Sequence, residues 1–193
     1  MSPASLATFL GFWLLAGTCL AADLGGQLLV ANRHLRDPHF AHSVIYVLDH
    51  TETGAMGLVV NRAAGRAALR EVLRQQGVRS ASKRSITLFY GGPVEPGRGF
   101  LLHSPDYQCA STQFLGTRFA LSTGRDILEA IAAGKGPKQA RLVLGYAGWG
   151  KGQLDQEVAR ADWLLTSADP ALVFSATPAQ VWERALRFAG MRL

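Results

Sequence analysis

The stretch HSVIYVLDHTETGAMGLVVN, residues 42–61, decides the fold. Its first part, HSVIYVLDH (42–50), is a run of β-branched and aromatic residues too apolar to leave one face in water. A central strand is therefore expected there. The TETG tetrad (51–54) then turns the chain, and AMGLVVN (55–61) resumes the apolar run, so a β-hairpin is expected.

On either side of this hairpin the pattern continues. GQLLVAN (26–32) has the character of a first strand, and SITLFYGG (85–92) and RGFLLH (98–103) are two more around the elbow Gly91-Gly92-Pro93. TQFLGTRFALS (112–122) is expected as one further strand. Thr123 and Asp126 form a capping-box-like pair ahead of ILEAIAA, which stops at Gly134. Thr177-Pro178-Ala179-Gln180 places a cap, a first-turn proline and a reciprocal Gln before VWERALRFA, and Gly190 suits the end of that helix. Strands in hairpins with interspersed helices predict an α+β fold with a mixed, largely antiparallel sheet and flanking helices. At 193 residues, 48% hydrophobic and 18% charged, the chain suits one globular domain and excludes disorder.

The N-terminus is different. From Leu6 to Ala22 no residue is charged, and its greasiest part, FLGFWLLA (9–16), is short for a membrane span. It suits the apolar region of a secretory signal, with cleavage near Ala21. Residues 1–22 are accordingly expected to be a signal peptide, residues 23–193 the domain, and the protein exported to the periplasm. No Lys or Arg precedes the apolar run. The alternative is a mis-assigned start and a cytoplasmic protein beginning near Asp23. Of the two cysteines, Cys19 would leave with the signal, so Cys109 stands alone, with no internal disulfide and no CxxC metal site.

The net charge of +6 is local. Of the 20 Lys and Arg and 14 Asp and Glu, seven cations and one acid lie between Arg62 and Arg84, leaving thirteen of each elsewhere. Arg62, Arg66, Arg70 and Arg74 recur at every fourth position and would form one stripe on a continuous helix, opposite Leu69, Val72 and Leu73. Such a stripe could contact an acidic protein, an anionic surface or nucleic acid. No aromatic residue is interleaved to stack on bases.

In LVLGYAGWGKGQLDQEV (142–158), Gly145, Gly150 and Lys151 fit G-x-x-x-x-G-K, but the position that should carry a magnesium-binding hydroxyl is Gly152. Nucleotide hydrolysis is therefore not supported. The glycines are expected to turn the chain from strand to helix, with Trp149 at the tip, either plugging the core edge or facing a partner. Gln153 and Glu157 share one side of the outgoing helix. His34, His39, His42 and His50 are clustered in sequence, yet His42 and His50 would stand about 26 Å apart on a strand, too far to share a metal ion. A Ser43 hydrolase lacks the strained nucleophile turn. Asp37-Pro38 has turn chemistry, and Asn61 suits a turn cap.

The succession GQLLVAN, DPHF, SVIYVLDH, GAMGLVVNR, GGPVEPGRGFLLH, GYAGWGKGQLDQEV and Asp162-Trp163 resembles the YqgE/AlgH family of bacterial proteins, from about Leu24 to Met191. The resemblance implies an α+β domain with a branched sheet rolled into a partial barrel. For function it implies little, since such proteins carry a transcriptional-regulator label without an established biochemical activity, and no cofactor is expected. This chain departs from the family pattern around His34, at Ala63 and at Lys151, where that pattern has proline. Its leader is an addition. The expectation is a non-catalytic binding or regulatory protein. Its candidate pocket comprises Asp37, His50, Asn61, Gly91, Gly92, Pro93, His103, Gly148, Trp149, Gln153 and Glu157, with a separate acidic-partner contact through Arg62, Arg66, Arg70 and Arg74. The alternatives are an enzyme with a pocket around His50, His103 and the GYAGWG segment, or a cytoplasmic regulator binding nucleic acid.

Overall fold

A computed structural model describes residues 23–175 and 177–190, so the expected signal peptide lies outside the described residues. The deciding hairpin forms as expected. Strands β1 (Gln27–Ala31), β2 (Val44–Thr51) and β3 (Gly54–Val59) run antiparallel, with Thr51 opposite Gly54 across a two-residue turn. The chain continues through β4 (Ala63–Ala68), α1 (Leu69–Gln75), β5 (Ser85–Tyr90), β6 (Val94–His103), β7 (Thr112–Leu115) and β8 (Phe119–Ser122). Next come α2 (Arg125–Ala132), β9 (Ala140–Gly150), α3 (Gln153–Ala159) and β10 (Trp163–Ser167). A π-helical turn (Ala171–Ser175) then leads to α4 (Pro178–Gly190).

The sheet order is β10-β1-β2-β3-β9-β6-β8-β7, with β4 and β5 on a branch. The branch point is on β9. Its first half pairs with β5 in parallel and with β6 antiparallel, whereas its second half, from Ala147, pairs with β3. At the changeover Gly145 has φ +73°, and the elbow Gly91-Gly92 lies flat against it. The Gly91 amide donates to the Leu144 carbonyl at 2.8 Å, and the Gly91 carbonyl accepts from the Val59 amide at 2.9 Å. A Cβ on Gly91 would sit 2.2 Å from the Gly145 oxygen, and one on Gly92 would sit 2.2 Å from the Tyr146 carbonyl carbon. Only glycine lets the two backbones approach this closely.

The sheet curls into a half-barrel around one large apolar core, with Tyr46 of β2 meeting Phe119 of β8 at 5.0 Å between ring centres. Helix α4 covers β1, burying Val181, Trp182, Ala185 and Ala189, and the Trp182 indole donates to the Ala31 carbonyl at 2.7 Å. A smaller core of Leu69, Leu73, Leu101, Ile127, Leu128 and Leu142 holds α1 and α2 on the branch. The α+β class, the largely antiparallel sheet and the partial barrel are all present.

Four local expectations change. The arginine stripe is not one helix: residues 63–68 form β4 along the edge of β5, and helix begins only at Leu69. Pairing with β5 satisfies the backbone of this stretch and overrides the helix propensity of its alanines. The segment 112–122 is a hairpin, β7 and β8, not one strand. GYAGWG is strand up to Gly150, because Tyr146 pairs with Val94 of β6 and residues from Ala147 onward pair with β3, and the turn is confined to Lys151 and Gly152. Finally, Gly124 occupies the α2 cap position, while Asp126 accepts from the Ser111 hydroxyl at 2.8 Å and from the Ile127 amide at 3.0 Å.

Candidate functional site

Strand β9 delivers Trp149 inward, 7% exposed, and Lys151-Gly152 reverse the chain so that α3 runs back beneath it. Gln153 and Glu157 lie one helical turn apart, and their side chains are bonded at 2.9 Å. The Glu157 Oε2 accepts from the indole N–H groups of both Trp149 and Trp163, each at 2.8 Å. Gln153 also accepts the Gly150 amide at 3.1 Å. The two indoles meet edge to face at 6.3 Å, and Phe40 packs on both, at 6.5 and 5.9 Å. One carboxylate thus ties β9, α3 and β10 together, and the loop after β1 is clamped on top. Both of its oxygens accept from donors that keep their protons at neutral pH, so the carboxylate serves as a structural clamp. Trp149 plugs the core edge.

His50 belongs to the same neighbourhood, since it pairs with Ala55, which pairs with Trp149. Its Nδ1 accepts the Leu24 amide at 3.3 Å, which leaves the other nitrogen to donate to Asp155 at 3.4 Å. His50, Gly148, Trp149, Gln153 and Glu157 are therefore brought together.

A second group gathers at the branch. Asn61 accepts the Val44 amide at 2.8 Å and donates to the His42 carbonyl at 2.9 Å. Asp37 caps its own turn through the His39 amide at 2.7 Å. Arg62 donates to the carbonyls of Pro38 and Ala41, at 3.1 and 2.7 Å, and so pins the same loop. The Tyr90 hydroxyl lies 3.1 Å from His39 Nδ1, beside Gly91 and Gly92 in the chain. Burial raises the Tyr90 phenol above its usual 10, against the pull of the Arg62 charge.

His103 stands apart. It pairs with Ala140, nine positions from Trp149 along β9 and about 30 Å at strand spacing, so it shares no pocket with His50. It is fully buried, with Nδ1 2.8 Å from the Ser104 carbonyl and Nε2 3.0 Å from the Ser122 hydroxyl. The carbonyl accepts only, so Nδ1 carries the proton and Ser122 donates to Nε2. Desolvation lowers its pKa below the usual 6.5. Beyond Ser122 the network reaches Thr112, at 2.9 Å, and the Cys109 sulfur, 3.2 Å from the Thr112 hydroxyl.

The remaining histidines scatter. His34 meets Asp162 at 3.3 Å, and His42 lies edge-on to Trp182 at 4.3 Å. Ser43 is buried with its hydroxyl donating to the Phe40 carbonyl at 2.7 Å. Among the described residues, no group of three His, Cys, Asp or Glu is placed to hold a metal ion.

The basic segment divides by role. Arg62 is consumed by the loop, while Arg66, which donates to the Ser85 hydroxyl at 2.7 Å, is exposed on β4. Arg70 and Arg74 are exposed on α1, with Glu71 the acid beside them, and Arg79, Lys83 and Arg84 are exposed on the connection to β5. Sequence reasoning missed Phe40, Asp155 and Arg141. Arg141 is 4% exposed, donates to the Val60 carbonyl at 2.6 Å and lies over Phe89 at 4.3 Å. Burial lowers its pKa to about 10. Nothing in the local pattern marks a buried arginine inside an apolar strand.

Comparison with known proteins is unambiguous. A family model described as AlgH-like (DUF179) matches residues 28–193. A UPF0301 protein of Methylococcus capsulatus is 55% identical over 172 residues, covering 89% of this chain and 94% of that protein. The solution structure of the AlgH protein from Pseudomonas aeruginosa superposes with a TM-score of 0.74 at 42% identity, over 88% of this chain and 90% of that one. A crystal structure of a Corynebacterium diphtheriae protein gives 0.68 at 25% identity, over 85% and 86%.

Proposed function

This chain belongs to the AlgH-like family, and from that premise we propose that it is a non-catalytic binding protein whose exposed arginine face engages an acidic protein segment. One observation carries the proposal: Arg66, Arg70, Arg74, Arg79, Lys83 and Arg84 are all exposed, with Glu71 the single acid among them. Elsewhere the charges balance, so the positive field is concentrated here and favours an anionic partner. The site is short, because a seven-residue helix spans only about 10 Å, and no aromatic residue is interleaved with its cations between Arg62 and Arg84 to stack on bases. Both features favour an acidic peptide over nucleic acid. Export of the chain, proposed from its apolar leader, also favours a protein partner, because it would take the chain away from DNA. The non-catalytic reading is supported by how the acid–base residues are used, with Glu157, His50 and His103 each committed to structural hydrogen bonds.

The test is titration of the full chain with a fluorescent polyglutamate peptide at low and moderate salt. Binding should weaken as salt rises, and R66E/R70E/R74E should weaken it at least about tenfold by converting attraction to repulsion. Arg62→Ala should leave binding unchanged, since that side chain is occupied by Pro38 and Ala41. Equal binding by the triple variant would overturn the proposal. Tighter binding of duplex DNA than of polyglutamate would replace it with the nucleic-acid reading.

A further inference from the structure

A cleft of about 410 Å³ lies between β2 and the β7–β8 turn, sharing no residue with the arginine face or the Glu157 clamp. Leu48, Leu115 and Phe119 form its apolar wall, Tyr46 its floor, and the exposed Arg118 stands at its edge. Tyr46 is 1% exposed, yet its hydroxyl has no protein partner among the described residues. The ring is enclosed but the hydroxyl oxygen is not sealed off, so it keeps access to the cleft, where a ligand or water can accept its proton. The oxygen passes over Gly26, where a Cβ would lie 3.8 Å from it, so the small residue keeps this end of the cleft clear. Burial pushes the Tyr46 phenol above its ordinary 10, with the Arg118 charge pulling the other way, so at neutral pH it is a donor. Among the described residues, no acidic side chain lines the cleft. Its polar side chains are the Tyr46 phenol, the Arg118 guanidinium and the Thr117 hydroxyl, all able to donate and one of them positive.

We propose that this cleft binds a small amphipathic carboxylate. Tyr46 donates to one carboxylate oxygen, Arg118 closes on the head from the rim, and the tail lies along Leu48, Leu115 and Phe119. The two donors match the two oxygens of a carboxylate, and charge-assisted bonds of this kind are the strong ones. The volume suits a tail of roughly eight carbons, near the lower end of the size range for small-molecule sites. This site is separate from the acidic-partner face and stands or falls independently of it.

The experiment is a titration of the full chain with octanoate, followed by NMR methyl signals of Leu48 and Leu115. Saturable shifts at those methyls are expected. Tyr46→Phe, which keeps the ring and its packing on Phe119, should weaken binding about tenfold, the usual loss for one charged hydrogen bond. Arg118→Gln should do the same. It lies on the surface, so it remains decisive if the Tyr46 variant folds poorly. Octylammonium should leave the two methyls unmoved. The proposal fails if octanoate gives no saturable shift, if both variants bind as tightly as the parent, or if octylammonium binds equally well. Tighter binding of octyl phosphate would overturn the carboxylate assignment.

Discussion

Replacing Glu157 by Ala removes the acceptor shared by Trp149 and Trp163 and the partner of Gln153. Both tryptophans are buried, 7% and 3% exposed, so two indole N–H groups lose their bonds inside the protein. An orphaned buried donor costs about 1–3 kcal/mol, which gives about 2–6 kcal/mol for the pair. Glu157 itself is half-buried, so water can follow the missing side chain and recover part of that. A net loss of about 2–4 kcal/mol is expected, or about 5–15 °C in Tm for a domain of this size. Glu157→Gln should cost less, about 1–2 kcal/mol, because one amide oxygen can still accept both indoles while the charge assistance and the bond from Gln153 are lost. Urea unfolding followed by tryptophan fluorescence checks the ranking. Adding Trp163→Phe closes a cycle in which the coupling with Glu157 should be about 1 kcal/mol or more. A loss under about 0.5 kcal/mol for Glu157→Ala, or zero coupling in that cycle, would show that the carboxylate is not what ties α3 to the sheet.

Two further outcomes follow from the branch and from the buried histidine. Gly92→Ala forces a Cβ to within 2.2 Å of the Tyr146 backbone, at φ +151°, and the contact is with main chain that cannot swing aside. A loss of more than about 3 kcal/mol is expected, measured as collapse of soluble expression or of the urea midpoint, whereas Gly97→Ala, with nothing within 4 Å, should fold normally. His103 titrates below 6.5 in the folded chain because burial disfavours its charged form. The unfolded chain therefore takes up a proton first as pH falls. The stabilising contribution of neutral His103 is full above about 6.5 and declines below it, by up to about 1.4 kcal/mol per pH unit. His103→Leu should be less stable at pH 7.5 yet lose this slope between pH 6.5 and 5, and an unchanged slope would assign the titration elsewhere.

Much of the fold follows from local chemistry. The run from Val44 to Val47 is apolar on both faces, so it had to be an interior strand, and the two-residue reversal after Thr51 made its neighbour antiparallel. Gln153 and Glu157 were placed on one side of a helix by spacing alone, and their bond is there. The glycines at 91, 92 and 145 could be recognised as needing special backbone, but not that they need it against each other, because that contact joins segments more than fifty residues apart.

The candidate site was only partly legible for the same reason. Periodicity put four arginines on one helix, whereas the free edge of β5 drew residues 63–68 into a strand and left Arg62 facing a loop. Two histidines that looked like partners, His50 and His103, lie at opposite ends of β9. Tyr46 looked like one more aromatic in a core strand. Only the curl of the sheet, which brings the β7–β8 turn over β2, leaves its hydroxyl facing a cleft with Arg118 beside it. Hydrophobic alternation, turn residues and helix spacing act over a few residues, so the chain alone specifies its elements and their class. Which polar groups meet depends on pairings between distant strands, and those are settled only when the whole core closes.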